Sequence, residues 1–410
     1  MSGKVETKGL AIIMDYKFSQ KVSHLQASAI REILKFTSDP EVISFAAGNP
    51  APEAFPTELL TKLSAEIFAE DPIMALQYSI SEGYTPLRDL LKKELAAKGE
   101  FVEGRDELII TSGAQQANEL AAKVLCDEHD VLVAEAPSFI GSLNAFKSYN
   151  VDLKGVTLRE DGMDIDELEK VLEKGNVKLI YIISNFQNPT GRTTSLEKRK
   201  AIYELAKKYG AMILEDNPYG DLRISGENVP SIKSMDKDGI VMYSRTFSKV
   251  LAPGIRVGYI SAPKEIVAKM IVCKQVSDVH SNIWAQLLAY KFLNNVDFEK
   301  HIKGLQEIYR KKCELMISEM KKNFSSKIKF EVPQGGLFIW CTLPDGCDMP
   351  AFCKKAVSEY KVAVVPGNAF MISESDKTSS FRLNFSTPTD EQIVKGCEYL
   401  GKLSKDMFGE

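Results

Sequence analysis

Lys249 stands in the stretch SRTFSKVLAPGIRVGYI (244–260), among small and hydroxylated neighbours and seven positions ahead of Arg256. A lysine that only meets water needs no such company. The apolar runs GIVMYS before it and VGYI after it predict a buried strand, a turn that carries Lys249, and a second strand. The amine would then sit at the mouth of a core.

Four further stretches put chemistry-capable residues at the carboxyl ends of predicted strands. After ELIIT (107–111), SGAQQ sets Ser112, Gly113, Ala114 and Gln115 where a tight turn opens a helix with free N–H groups. That arrangement suits a phosphate and equally fits an ordinary strand-to-helix turn. After DVLVAE (130–135), APSF holds Phe139 at a sheet edge, as a stacking face or as plain packing. After VKLIYIIS (177–184), the turn Asn188-Pro189-Thr190-Gly191 either presents the Asn188 amide in fixed geometry or is a turn and no more. After YGAMILED (209–216), Asp216 falls where the strand leaves the core, with Tyr219 on the next turn. A carboxylate so placed is either paired or functional. One such placement is noise; five on consecutive candidate strands indicate a site, because ligands of open α/β sheets gather at the carboxyl ends of the strands.

The inventory narrows the ligand. A phosphate wants a helix N-terminus, hydroxyls and an arginine, which SGAQ, Thr246, Ser248 and Arg256 supply. A flat ring wants Phe139, a ring nitrogen that must stay protonated wants Asp216, and a ring oxygen wants Asn188 and Tyr219. An aldehyde wants a neutral amine, Lys249. Together these describe pyridoxal 5′-phosphate.

The elements that must position these residues alternate: apolar runs at 107–111, 130–135, 177–184, 209–216 and 239–244 are separated by helical patterns such as QQANELAAKVL and LEKRKAIYELAKKY. Such alternation predicts a largely parallel α/β sheet covered on both faces. From about residue 305 the pattern changes to helix, KIKFEV, GGLFIW, the helix MPAFCKKAVSEY, VAVVP, FRLNFS and a last helix. The expected organisation is a large α/β domain over 56–304 and a smaller α+β domain made from 1–55 and 305–410.

At this point the chain resembles a known family over nearly its whole length. GNP (48–50), LQYSISEGYTPLRDLL (76–91), TSGAQQ, NPTG, EDNPYGD, TFSKVLAPGIRVGY, VVPGNAF (364–370) and FRLNFS (381–386) match, in order, the pyridoxal-phosphate aminotransferases of the aspartate aminotransferase superfamily, class I/II. The resemblance implies fold type I, with a mainly parallel seven-stranded sheet in the large domain, and transamination between an L-amino acid and a 2-oxo acid such as 2-oxoglutarate. It implies Lys249 as the Schiff-base lysine, Asp216 as the partner of the pyridine nitrogen, and Asn188 with Tyr219 as donors to the ring hydroxyl oxygen. Arg256, Thr246 and the segment Gly113–Gln115 would hold the phosphate, with Tyr78 reaching it from a neighbouring subunit of a homodimer that shares its active sites. Arg382 would clamp the substrate α-carboxylate, helped by Asn188 and the Gly48 backbone.

Two departures separate the chain from the aspartate-preferring branch: the lysine-to-arginine interval is seven rather than eight, and Phe139 stands where that branch has tryptophan. With LQYS and PGNAF, these features are similar to the 2-aminoadipate and kynurenine aminotransferases and to regulator-linked aminotransferase domains. That branch sets an arginine on an N-terminal helix against the substrate's distal carboxylate, and ASAIREILKF puts Arg31 at a comparable place, where the helical pattern alone also lets it face water.

Composition bounds the rest. With 44% hydrophobic and 26% charged residues, the 410-residue chain reads as an ordinary globular protein. A net charge of −4 advertises neither nucleic acid nor an anionic membrane. Seven cysteines without a C-x-x-C pair predict no disulfide framework and a reducing, cytoplasmic setting, and four scattered histidines predict no metal site. The N-terminal run LAIIM is too brief for a signal-peptide core, and no later run approaches a membrane span. No G-x-G occurs, and GCEYLGKL (396–403) reads as part of the final helix. Two alternatives stay open: a lyase or synthase on the same scaffold, which would keep the lysine and aspartate, and a non-catalytic effector-sensing module.

Overall fold

The computed structural model describes residues 16–23, 39–373 and 375–409. The first strand, β1 (Ile43–Ser44), is only two residues long. The main sheet follows, built from β2 (Asp106–Thr111), β3 (Val131–Ala136), β4 (Asp152–Arg159), β5 (Gly162–Met163), β6 (Val177–Ile182), β7 (Met212–Asp216), β8 (Val241–Thr246) and β9 (Gly258–Pro263). Their spatial order is β2-β9-β8-β7-β6-β3-β4-β5. β9 runs antiparallel to both its neighbours, and β4, β3, β6, β7 and β8 are mutually parallel. The sheet is thus the expected α/β one of fold type I, with an eighth strand beyond the expected seven: the two-residue β5, which folds back antiparallel on the edge of β4.

The apolar runs form strands because both faces of this sheet are covered, and alternate residues enter different cores. Leu132, Leu179, Leu214 and Met242 belong to one buried cluster, while Val133, Ile180, Ile213 and Val241 belong to another. On the second face lies the helix Leu196–Tyr209, which begins at a Ser195 cap and ends at Gly210 in the left-handed region (φ 71°). On the first lies Ala114–Leu125, whose Ala117, Ala121 and Ala122 let it approach the strands closely.

Beyond the main sheet, a 26-residue helix, Phe298–Asn323, leads to β10 (Lys329–Phe330), β11 (Phe338–Thr342), β12 (Val362–Ala363), β13 (Val365–Pro366) and β14 (Ser380–Asn384). Four of these form a second sheet in the order β10-β11-β14-β13. The sequence predicts one strand over VAVVP, and the structure makes two: β12 pairs parallel with β1, and β13 pairs with β14. Periodicity marks this run as apolar and cannot show that the chain changes partners at Val364. The predicted KIKFEV strand shrinks to its central pair. GCEYLGKL lies inside the last helix, Asp390–Phe408, whose Thr389–Gln392 capping box fixes its start.

Candidate active site

The carboxyl ends of β2, β3, β6, β7 and β8 open onto a cavity of about 410 Å³. Ala114, Gln115, Phe139, Asn188, Asp216, Tyr219, Thr246, Ser248, Lys249 and Arg256 line it, and Gly48 and Arg382 enter from the chain ends. Lys249 rides on the turn after β8, which Leu251 N closes by donating to the Phe247 carbonyl at 2.8 Å. Its Nζ donates to the Gly48 carbonyl at 2.8 Å and lies 6.0 Å from the Tyr219 ring centroid. Burial, then the positive charges of Arg382 and Arg256, pull the Lys249 pKa down to about 8. A lysine in that range is neutral in about one molecule in ten at pH 7, far more often than a free lysine.

Asp216 ends β7 inside the protein. Its Oδ2 accepts from Asn118 Nδ2 (2.8 Å) and Tyr181 OH (2.9 Å), while Oδ1 is buried without a partner. Burial raises its pKa to about 6, and Asn118, Tyr181 and the nearby Ser244 hydroxyl oppose the rise. The carboxylate is therefore anchored by one oxygen and offers the other, which suits a protonated ring nitrogen. Burial holds the Tyr219 phenol above its ordinary range, so it keeps its proton as a donor.

At one end of the cavity the backbone forms a cradle. Gly113 (φ 73°) turns the chain into the helix Ala114–Leu125, and a Cβ there would meet Arg256 Nη2 at 2.5 Å. A Cβ on Gly258 would strike the Gly113 carbonyl carbon at 2.6 Å and Ala114 N at 2.8 Å. Arg256 itself sits at φ 53°, a conformation a bulky side chain rarely takes, and its Nη2 donates to the Ser112 carbonyl at 3.1 Å. Thr246 Oγ1 accepts from Ser248 N at 3.1 Å, which brings the two hydroxyls side by side. Helix N–H groups, hydroxyls and a guanidinium converge there as a phosphate would require.

At the other end Arg382 is buried. Its Nη1 donates to Asn188 Oδ1 (2.8 Å) and its Nη2 to the Ala46 carbonyl (2.8 Å). The guanidinium carbon lies 4.2 Å from the Phe338 ring centroid and 4.9 Å from that of Phe370. Burial lowers its pKa to about 10.

Of the described residues singled out from sequence, Ser112, Gly113 and Tyr78 do not line the cavity: Gly113 forms the cradle beside it, and the Ser112 hydroxyl donates to Asp278 Oδ2 at 3.2 Å. Tyr78 is 82% exposed. Arg31 lies outside the described residues. Sequence reasoning missed Asn118, Tyr181, Phe338 and Phe370. Tyr181 is the lone hydroxyl in an apolar strand, and Asn118 is an amide on the buried face of its helix, so each left a faint signal. Phe370 closes the VVPGNAF motif without any sign of its partner, and Phe338 left no signal. The donor set, the orphaned Asp216 oxygen and the glycine cradle fit pyridoxal phosphate. Among the described residues no cluster could hold a metal ion, and no helix is long and apolar enough to cross a membrane.

The family model for aminotransferase class I and II matches residues 40–400. Aromatic-amino-acid aminotransferase 1 of Thermococcus litoralis is 38% identical, covering 98% of this chain and 98% of the relative. The 2-aminoadipate transaminase of Thermus thermophilus is 34% identical over 95% of this chain and 97% of the relative. Among solved structures, kynurenine aminotransferase of Pyrococcus horikoshii, in complex with PMP, superposes with a TM-score of 0.91 at 36% identity, covering 95% of this chain and 97% of that one.

Proposed function

The chain belongs to the class I and II aminotransferases and is a pyridoxal-phosphate-dependent transaminase of fold type I; from that premise we propose its residue roles, substrates and assembly. The observation that carries the proposal is the convergence of Lys249, Asp216 and Arg382 on one cavity.

Bound pyridoxal phosphate supplies an electron sink through which an amino group passes from an amino acid to a 2-oxo acid. Ser112, Gly113, Ala114, Gln115, Thr246, Ser248 and Arg256 hold its phosphate, and Phe139 covers its ring. Asp216 Oδ1 keeps a proton on the ring nitrogen, and Asn188 and Tyr219 donate to the ring hydroxyl oxygen. Arg382 binds the substrate α-carboxylate in the orientation set by Asn188 Oδ1 and the Ala46 carbonyl, with the Gly48 backbone alongside. Lys249 Nζ takes the substrate α-proton and returns it, as general base and then acid. Its contact with the Gly48 carbonyl and its lowered pKa support that task.

Donor preference is broad or 2-aminoadipate-like, supported by the named activities of the relatives, with 2-oxoglutarate as acceptor and Arg31 facing a distal carboxylate. The chain divides into a large domain over 56–304 and a small one from 1–55 and 305–410; the second border falls within the helix Phe298–Asn323. The protein is a cytoplasmic homodimer. Ile73, Leu76, Tyr78 and Ile80 are all half or more exposed in one short segment, and the Tyr78 ring touches His280, which neighbours the exposed Val276 and Val279. The seven cysteines are all free, which supports a reducing compartment.

The test is the visible absorption of the purified protein with pyridoxal phosphate, first with a panel of amino acids and then with 2-oxoglutarate. One donor should bleach the cofactor band and 2-oxoglutarate should restore it. A band that no donor converts reversibly would overturn the donor assignment.

A further inference from the structure

One side-chain amide behind the cavity has every hydrogen-bonding position filled. Gln187 is 1% exposed. Its Nε2 donates to the Pro137 carbonyl (2.8 Å) and to Glu135 Oε2 (3.2 Å), and its Oε1 accepts from Thr190 N (3.0 Å) and Thr190 Oγ1 (2.8 Å). Two of the four bonds stay within Gln187's own loop after β6, and two reach across to the end of β3 and the loop that follows it. Pro137 lies two residues before Phe139, on the loop after β3, and Thr190 lies two residues after Asn188, on the loop after β6. Neither loop has a regular strand partner at that point, so the amide stands where sheet hydrogen bonding ends.

Glu135 completes the brace from below. It is wholly buried on the face opposite Asp216, and its Oε2 also accepts from Ile183 N at 3.1 Å. Burial lifts its pKa to about 8, so it carries its proton at neutral pH and adds no charge beneath the cavity. A buried amide with all partners satisfied holds its surroundings in one arrangement, because any shift leaves a polar group unpaired.

We infer that Gln187 is a positioning residue that sets the spacing between Phe139 and Asn188, and through Asn188 the orientation of Arg382. This rests on the reading of Phe139 and Asn188 as cofactor contacts. The brace fixes two sides of one ring site: the wall it stacks on and the amide at its edge. Asn188 Oδ1 passes the same constraint to Arg382 Nη1.

The test compares Gln187→Leu, which removes both donors and the acceptor, with Gln187→Glu, which keeps the acceptor for Thr190 and can accept a hydrogen bond from the protonated Glu135. The pH midpoint of the bound cofactor's visible band reports the hydrogen bond at the ring oxygen. In Gln187→Leu it should move by about half a unit or more, with kcat falling about tenfold, and Gln187→Glu should recover part of both. A lower melting temperature with an unchanged midpoint and kcat would show a structural role only and overturn the inference. If the wild type itself forms no band that depends on Lys249, the cofactor reading fails instead, so the two failures are distinguishable.

Discussion

The two ends of the cavity are built on opposite plans. At the carboxylate end Arg382 is buried, sandwiched between Phe338 and Phe370, and tied to Asn188 and Ala46. At the phosphate end Arg256 is exposed, held in a left-handed backbone conformation, and tied to the Ser112 and Pro253 carbonyls. A buried cation strengthens every interaction it makes and cannot rearrange without cost. An exposed one is screened and leans on neighbouring N–H groups and hydroxyls. The difference teaches that the rigid end suits the fixed orientation of a small anion common to all amino acids, as proposed for the α-carboxylate, whereas the open end suits a group held by many separate contacts, as proposed for the phosphate.

Lys249 lies between the ends and should show the largest effect. Lys249→Ala should lower turnover by about 10²–10⁴-fold, the range for a lost general acid–base group, measured as reversible bleaching of the cofactor band. Breaking the rigid end comes next. Arg382→Leu removes a buried, hydrogen-bonded charge, a loss of about 2–5 kcal/mol, and should cut kcat/KM by roughly 30- to 4,000-fold; Arg382→Lys should recover little, since it lacks the two-pronged fork. At the open end the effect should be milder and of another kind: Arg256→Ala should weaken cofactor binding by about 10- to 100-fold, from about 1.5–3 kcal/mol, and leave turnover at saturating cofactor closer to normal. Equal damage to kcat from both arginines would break the comparison.

The smallest expected effect is on protonation. The Lys249 pKa is lowered from its ordinary 10.5 to about 8, so its amine loses its proton as pH rises through 8. In cofactor-free protein, labelling of Lys249 by an amine-selective reagent should therefore rise about tenfold per pH unit below 8 and level off above it. A midpoint near 10.5 would contradict the burial that produces the shift.

Much of this was legible in sequence, for a physical reason. Parallel strands buried on both faces appear as uninterrupted apolar runs, so a polar residue just past such a run, like Asp216 after AMIL or Asn188 after LIYII, stands out. What supports those residues was not legible. Tyr181 and Asn118 are needed because Asp216 Oδ2 must be satisfied, and each sits inside an element whose pattern already explains itself as core. Phe338 and Phe370 come from distant parts of the chain and meet only around Arg382. The VAVVP run shows the limit of periodicity, since apolar character says that a segment is covered and not which strand covers it.

The alternation of residues along β3, β6, β7 and β8 has a consequence for how this protein can change. Leu132, Leu179, Leu214 and Met242 pack in one cluster while their sequence neighbours Val133, Ile180, Ile213 and Val241 pack in another, so the sheet acts as a bulkhead between two compartments. Substitutions on opposite sides should combine additively, and the compartment beneath Glu135 and Glu215 can be repacked for stability while the one beneath Asp216 is tuned for chemistry.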